Sequence, residues 1–162
     1  MSKRITFIFI AALFVIALLG CQPAPDKQAN AEKMFKDYCA MWSTHDLDKI
    51  VSFFADSCVY ENLAREQTYR GKEGVKAYAK ACFDAIPDFK VQVVSVFVSG
   101  DWLASEWVMT GTHSGALPDL PPTGKAFTVR GSSVVQLRDN KILRNTDYWD
   151  LMTFLRQLGV MK

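Results

Sequence analysis

The chain changes its apolar period at Pro87, and no other feature constrains its fold as strongly. Upstream, Met34, Phe35, Tyr38, Met41 and Trp42 recur at helical spacing, and after a break at Ser43-Thr44 the set Leu47, Ile50, Val51 and Phe54 does the same. This spacing predicts two tandem amphipathic helices, the second capped by Thr44 with Asp46 and Asp48 in its first turn. Cys58 to Asn62 reads as a short strand, and 71–86 as a third helix whose Val75, Tyr78, Ala79, Cys82 and Ile86 share a face before Pro87 stops it. Downstream, Phe89, Val91 and Val93 alternate, Ser99-Gly100-Asp101 makes a turn, and Trp102 to His113 forms a long second strand. The segment 114–124 holds Pro118, Pro121 and Pro122, which cannot pair in a central ladder, so it is a loop and a lid candidate. Lys125 to Arg138 alternates again, Asp139-Asn140 turns, Lys141 to Trp149 is the last strand, and Leu151, Phe154, Leu155 and Leu158 mark a terminal helix. The resulting class is α+β, a curved antiparallel sheet packed against N-terminal helices, with a conical hollow lined by the inward side of each strand.

The N-terminus has a separate logic. Lys3 and Arg4 precede an apolar run from Ile5 to Leu19, the layout of a secretory signal, and that run falls short of the ~20 residues a spanning helix needs. Leu18-Leu19-Gly20-Cys21 resembles the lipobox of bacterial lipoproteins. The resemblance implies a signal peptide over 1–20, a lipidated Cys21 carrying acyl chains such as palmitate, and a protein held on the extracytoplasmic, periplasmic side of a membrane. Several acyl chains anchor stably where one would not. Gln22 after the cysteine resembles the outer-membrane sorting rule of enteric-type bacteria. Residues 21–30 read as the lipidated cysteine and a polar tether, and 31–162 as one domain.

Removing Lys3 and Arg4 from 19 basic residues leaves as many cations as the 17 acidic ones, so the domain is formally neutral and nucleic acid is not an expected partner. Cys39, Cys58 and Cys82 lie among apolar neighbours without Cys-x-x-Cys spacing, which is compatible with one disulfide or with buried free thiols. His45 and His113 show no metal-ligand spacing, and neither a metal nor a cofactor is expected.

A family likeness rests on His45-Asp46-Leu47-Asp48, Tyr69-Arg70-Gly71-Lys72-Glu73-Gly74, Gly111-Thr112-His113-Ser114-Gly115, Pro121-Pro122-Thr123-Gly124-Lys125, Asp147-Tyr148-Trp149-Asp150 and Gln157-Leu158-Gly159. In this order and spacing the domain resembles the SnoaL-like polyketide cyclases and ester cyclases of the NTF2-like superfamily. The resemblance implies a cone-shaped fold, frequently dimeric through its sheet, and a deep pocket in which cyclase members use a carboxylate as acid and base without a cofactor. A histidine that family members often carry near Gly131 is replaced here by Ser132 or Ser133.

Asp147 is the first candidate for a general base: its strand places it with Leu143, Asn145 and Trp149, and an aspartate in an apolar cone has its proton affinity raised. The competing reading puts Asp147 at a solvated strand end. Asp150 is a second catalytic candidate but also precedes the terminal helix, where capping its free amides suits it better. His113, beside the proline loop, would shuttle a proton or anchor the loop. Tyr60 and Asn62 share a strand face and would donate hydrogen bonds to an enolate oxygen; Trp42, Trp107 and Trp149 would line the pocket or fill the core. Arg130, Arg138 and Arg144 read as sheet-surface charges. Together these point to a membrane-tethered pocket protein that binds a small hydrophobic molecule and performs cyclisation, isomerisation or hydration on it. The alternative is a non-catalytic ligand-binding or dimeric assembly module.

Overall fold

The computed structural model describes residues 25–118 and 120–161; the signal segment, Cys21 and the start of the tether lie outside them. Helix α1 (Pro25–Trp42) buries Ala31, Met34, Phe35, Tyr38, Cys39 and Trp42, the i, i+3, i+4, i+7 stripe that the sequence pattern requires. It begins earlier than the tether reading allowed. Pro25 stands at the first helical position, where its missing N–H costs nothing, and the exposed turn after it is tied by Lys27 to Asp101 at 2.8 Å.

The corner after α1 corrects a detail. Asp46, not Thr44, caps α2 (Leu47–Ser52), accepting the Lys49 N–H at 3.0 Å, while the Thr44 hydroxyl turns back to the Met41 carbonyl at 2.8 Å. His45 occupies the left-handed region (φ 61°), stacks on Phe83 at 4.2 Å and donates from Nε2 to the Phe89 carbonyl. The corner is thereby pinned to the first residues of the sheet.

Strand β1 (Phe54–Asn62) starts four residues before the expected Cys58 and leads through a 3-10 turn (Leu63–Arg65) into β2 (Gln67–Arg70), a short strand that alternation does not reveal. Helix α3 (Gly71–Ala85) buries Val75, Ala79 and Ala85. Strands β3 (Lys90–Ser99), β4 (Trp102–Thr112), β5 (Ala126–Arg138) and β6 (Lys141–Trp149) form the expected consecutive hairpins, with Asp139 and Asn140 both at positive φ in the last turn. Helix α4 (Leu151–Gln157) closes the described chain, packing Phe154 edge-on against Phe127 and Trp149.

The sheet order is β2-β1-β6-β5-β4-β3: the meander is extended by β1, which lies parallel to β6. Register shifts at Val93/Ser95, Gln136/Leu137 and Phe54/Val59 mark bulges, which bend strands and increase twist, and the curved sheet wraps the helices. The parallel pairing shapes the interior of the cone most directly, because it sets Tyr60 opposite Asn145 and Asn62 opposite Asp147. Among the described residues no helix is long and apolar enough to cross a membrane.

Candidate active site

The inward faces of the strands do not fill the cone. Between the sheet, α1 and α3 lies a cavity that offers about 120 Å³ to the centre of a water-sized sphere, roughly ten times what one buried water requires. Its wall is aromatic: Trp42 lies 6.3 Å from Tyr60, 5.9 Å from Tyr78 and 6.1 Å from Phe89, ring centre to ring centre. Trp107 crosses β5 at Gly131, where any Cβ would collide with the indole, and this lets its Nε1 donate to Ser133 Oγ at 2.8 Å.

Asp147 is at the inner end, 9 % exposed. Its Oδ1 accepts from Ser133 Oγ and from Asn145 Nδ2, both at 2.6 Å, and its Oδ2 accepts from the Tyr60 hydroxyl. A carboxylate has about four lone-pair sites, so Oδ1 is saturated and Oδ2 keeps one free. Burial raises the proton affinity of Asp147 above the usual aspartate value, and the three neutral donors offset only part of that penalty. The Asp147 charge in turn adds to burial in holding Tyr38 and Tyr60 protonated well above the usual tyrosine range. The arrangement is a carboxylate held in one orientation, short of solvation, with a free lone pair in an apolar hollow: a group suited to taking a proton from carbon.

Asp147, Tyr60, Asn62, Trp42, Trp107 and Trp149, expected from the sequence, all line this cavity. Two of them already have hydrogen-bond partners in the cavity wall. The single Tyr60 O–H is engaged by Asp147, and Asn62 is clamped between the Trp149 indole N–H (2.9 Å) and the Tyr78 hydroxyl (3.0 Å), leaving one amide hydrogen free.

Asp150 and His113 do not join them. Asp150 is exposed and caps α4, accepting the Thr153 N–H at 2.8 Å, which holds its pKa below the usual value. His113 is fully buried and is not among the cavity-lining residues. Its Nδ1 meets Thr123 Oγ1 at 3.2 Å and its backbone brackets the proline loop through Gly124 and Lys125, so it anchors the loop, and burial lowers its pKa. Among the described residues Cys39, Cys58 and Cys82 are free thiols; burial pushes Cys82 up to about 12, which leaves it an inert wall residue.

Sequence reading missed Tyr38, Tyr78, Arg65 and Gln67, which line the cavity, and gave Ser133 no role. Ser133 pairs with Asp147 across the β5–β6 ladder, and Gly131, two positions earlier, was the signal that a large side chain crosses there.

The curved sheet, the helices packed in its concavity and the buried acid define an NTF2-like pocket protein. The chain belongs to the SnoaL-like polyketide cyclase family, whose model matches residues 32–158. It is 30% identical over 125 residues to the cyclase aurE of Calcarisporium arbuscula, covering 76% of this chain and 88% of that one. It is also 31% identical over 70 residues to the nogalonic acid methyl ester cyclase of Streptomyces nogalater, covering 43% and 52% of the two chains. Among solved structures, a SnoaL-like protein of Jannaschia sp. CCS1 superposes with a TM-score of 0.76 at 18% identity, over 88% of this chain and all of the other. TsrD of Streptomyces laurentii superposes at 0.74 and 20% identity, over 82% and 97%.

Proposed function

We propose that the protein binds a small hydrophobic carbonyl compound in the cone and cyclises it by acid–base catalysis at Asp147, without a cofactor. The observation that carries this reading is the buried Asp147 carboxylate, its proton affinity raised by burial and one Oδ2 lone pair open to an aromatic cavity. The free lone pair takes a proton from a carbon beside a carbonyl. The resulting enolate attacks a second carbonyl carbon of the same molecule, forming one C–C bond, and Asp147 returns the proton to the new alkoxide. Once Asp147 is protonated the Tyr60 O–H is released to the developing oxyanion, and the free Asn62 amide hydrogen faces the same cavity; such preplaced donors are commonly worth ~2.7 to 4 kcal/mol each. That one similar protein is a cyclase and another a nogalonic acid methyl ester cyclase supports this chemistry.

The test is solvent exchange. Incubated in deuterium oxide with an aromatic β-keto ester, the protein is expected to incorporate deuterium at the carbon between the carbonyls far faster than buffer alone. Binding without exchange would leave the non-catalytic ligand-binding reading in its place.

Two further parts of the proposal concern where and how the domain is held. The lipobox-like Leu18-Leu19-Gly20-Cys21 segment supports a lipid anchor at Cys21 on the periplasmic or other extracytoplasmic face, in the outer membrane where the host has one. Since α1 begins at Pro25, the anchor would place the domain close against the bilayer. Cys21→Ser is expected to release the protein from the membrane fraction with its melting temperature unchanged, and continued detergent-dependent membrane association rules the anchor out. The outer sheet face supports a homodimer: Phe97, Trp102, Val134 and Tyr148 are 67%, 47%, 39% and 46% exposed on the same face of adjacent strands, apolar surface that a partner would cover. Phe97→Glu should convert a dimeric sedimentation coefficient to a monomeric one.

A further inference from the structure

Two of the residues lining the cavity carry a formal charge, Asp147 and Arg65, and the proposed cyclisation uses only the first. Arg65 is itself only partly exposed, and a guanidinium beside a largely aromatic wall is most often paired with a carboxylate. Arg130 pairs with Glu106 and Arg144 with Glu61, yet Arg65 forms no ion pair among the described residues. Its one hydrogen bond among the described residues runs from Nη2 to the Pro118 carbonyl at 3.1 Å, leaving most of its five N–H groups for another partner.

A strained backbone presents this side chain. Arg65 ends the 3-10 turn Leu63–Arg65, and that turn is closed by Glu66 in the left-handed region at φ 54°, a conformation uncommon for a residue with a side chain. Gln67 comes next on the same cavity wall; its Oε1 accepts from the Tyr69 hydroxyl at 3.0 Å, and its amide N–H groups make no hydrogen bond among the described residues. This end of the cavity therefore sets the N–H groups of a guanidinium and of an amide beside each other, with no carboxylate among the lining residues described there.

The two charges also have different surroundings: Arg65 bonds the proline loop at Pro118, whereas Asp147 bonds Ser133, Asn145 and Tyr60. The Arg65 charge is felt by Tyr69, Cys82 and His113, and the Asp147 charge by Tyr38, Cys39, Tyr60 and Tyr78, two sets with no residue in common. Arg65 is not among the groups that shift Asp147, so the cation does not neutralise the base.

We infer that Arg65 and Gln67 form a carboxylate-binding site at the proline-loop end of the cavity, so that the ligand is an apolar ring compound bearing a free acid at the end away from Asp147. This deepens the cavity reading and rests on it. A methyl ester offers a weaker acceptor and no charge, so the free acid is preferred over its ester; charge-assisted bonds to a guanidinium are about twice as strong as neutral ones. The same contact ties ligand to loop, since one guanidinium holds the acid and the Pro118 carbonyl together.

The experiment compares anthracene-2-carboxylate with its methyl ester, titrated against the full chain in phosphatidylcholine nanodiscs with empty discs subtracted. Quenching of tryptophan fluorescence reports occupancy, because Trp42, Trp107 and Trp149 line the cavity. The acid is expected to bind about tenfold more tightly than the ester at low salt, a margin of ~1.4 kcal/mol. Arg65→Met is expected to bring the acid to the ester's affinity while leaving the ester within twofold, which doubles as evidence that the variant is folded. Equal binding of the two probes by the unmodified chain, or an acid preference that survives Arg65→Met, overturns the inference and leaves the cavity reading standing. Failure of both probes to bind overturns the two together.

Discussion

Two carboxylates in one ladder show what the cone does to an acid. Glu61 on β1 and Asp147 on β6 lie on neighbouring strands one register position apart, and they face opposite sides of the sheet. Glu61 points outward. Burial pushes its pKa up, but hydrogen bonds from Thr146 (2.8 Å) and Arg144 (2.7 and 3.0 Å), with the Arg144 charge, more than reverse this, and the carboxyl ends below its usual value. Asp147 points inward, accepts an equal number of donors, all of them neutral, and ends above its usual value because burial outweighs them. Donor count does not separate the two groups; the guanidinium and access to water do. A proton acceptor for carbon chemistry needs donors for orientation and no cation to lower its basicity, and only the inner face provides that combination.

The comparison breaks most visibly if the inner acid is removed. Asp147→Asn should lower turnover in the exchange assay by roughly 10²–10⁴-fold, the usual contribution of a general base, with the fold retained by circular dichroism. Glu61→Gln should leave that rate unchanged; equal losses in the two variants would mean that the strand pair, not the carboxylate, sets activity.

Ser133→Ala ranks next. It removes one donor from Asp147 and leaves the buried Trp107 indole N–H without its acceptor, so chemical denaturation should show a loss of about 1–3 kcal/mol. The acidic limb of the pH–rate profile should also move upward, because a donor that favoured the ionised form is gone.

A smaller effect, but one of opposite sign at the two sites, appears in stability against pH. The folded pKa of Asp147 is raised, so its contribution is fully present below the ordinary aspartate value of about 3.9 and is lost as pH rises through the folded value. The folded pKa of Glu61 is lowered, so its contribution is present above about 4.3 and is lost as pH falls through the folded value. Melting curves should therefore show Asp147→Asn gaining on the unmodified protein between pH 4 and pH 7. Glu61→Gln should instead fall behind in a more acidic window, as pH rises toward about 5, by up to about 1 kcal/mol, since Arg144 is half exposed and such pairs are screened.

What the sequence disclosed, and what it hid, divides along the same line. The meander, its turns and the sharing of one strand face by Asn145, Asp147 and Trp149 follow from alternation, which is local; that this face meets the cavity and not a solvated rim does not. The partners of Asp147 follow from register. Tyr60 meets it across 87 residues of chain because β1 lies parallel to β6, a pairing that no periodicity announces. Helix caps failed for a related reason. Thr44 and Asp46 both have suitable side chains, and the choice was made by His45 taking a left-handed backbone to stack on Phe83. Asp150 was readable as a cap because nothing distant competes for it. Arg65 was invisible because its meaning depends on which wall the 3-10 turn joins and on what fails to pair with it there.

The proposed chemistry depends on one property of one carboxyl group, and that property can be read directly. Carbon-13 NMR of the Asp147 side chain, assigned by the resonance missing in Asp147→Asn, should titrate with a midpoint above the ordinary aspartate value of about 3.9 and should show slow solvent exchange. A midpoint at or below that value would place Asp147 in water or beside a cation, and would take away the base on which the cyclisation is built.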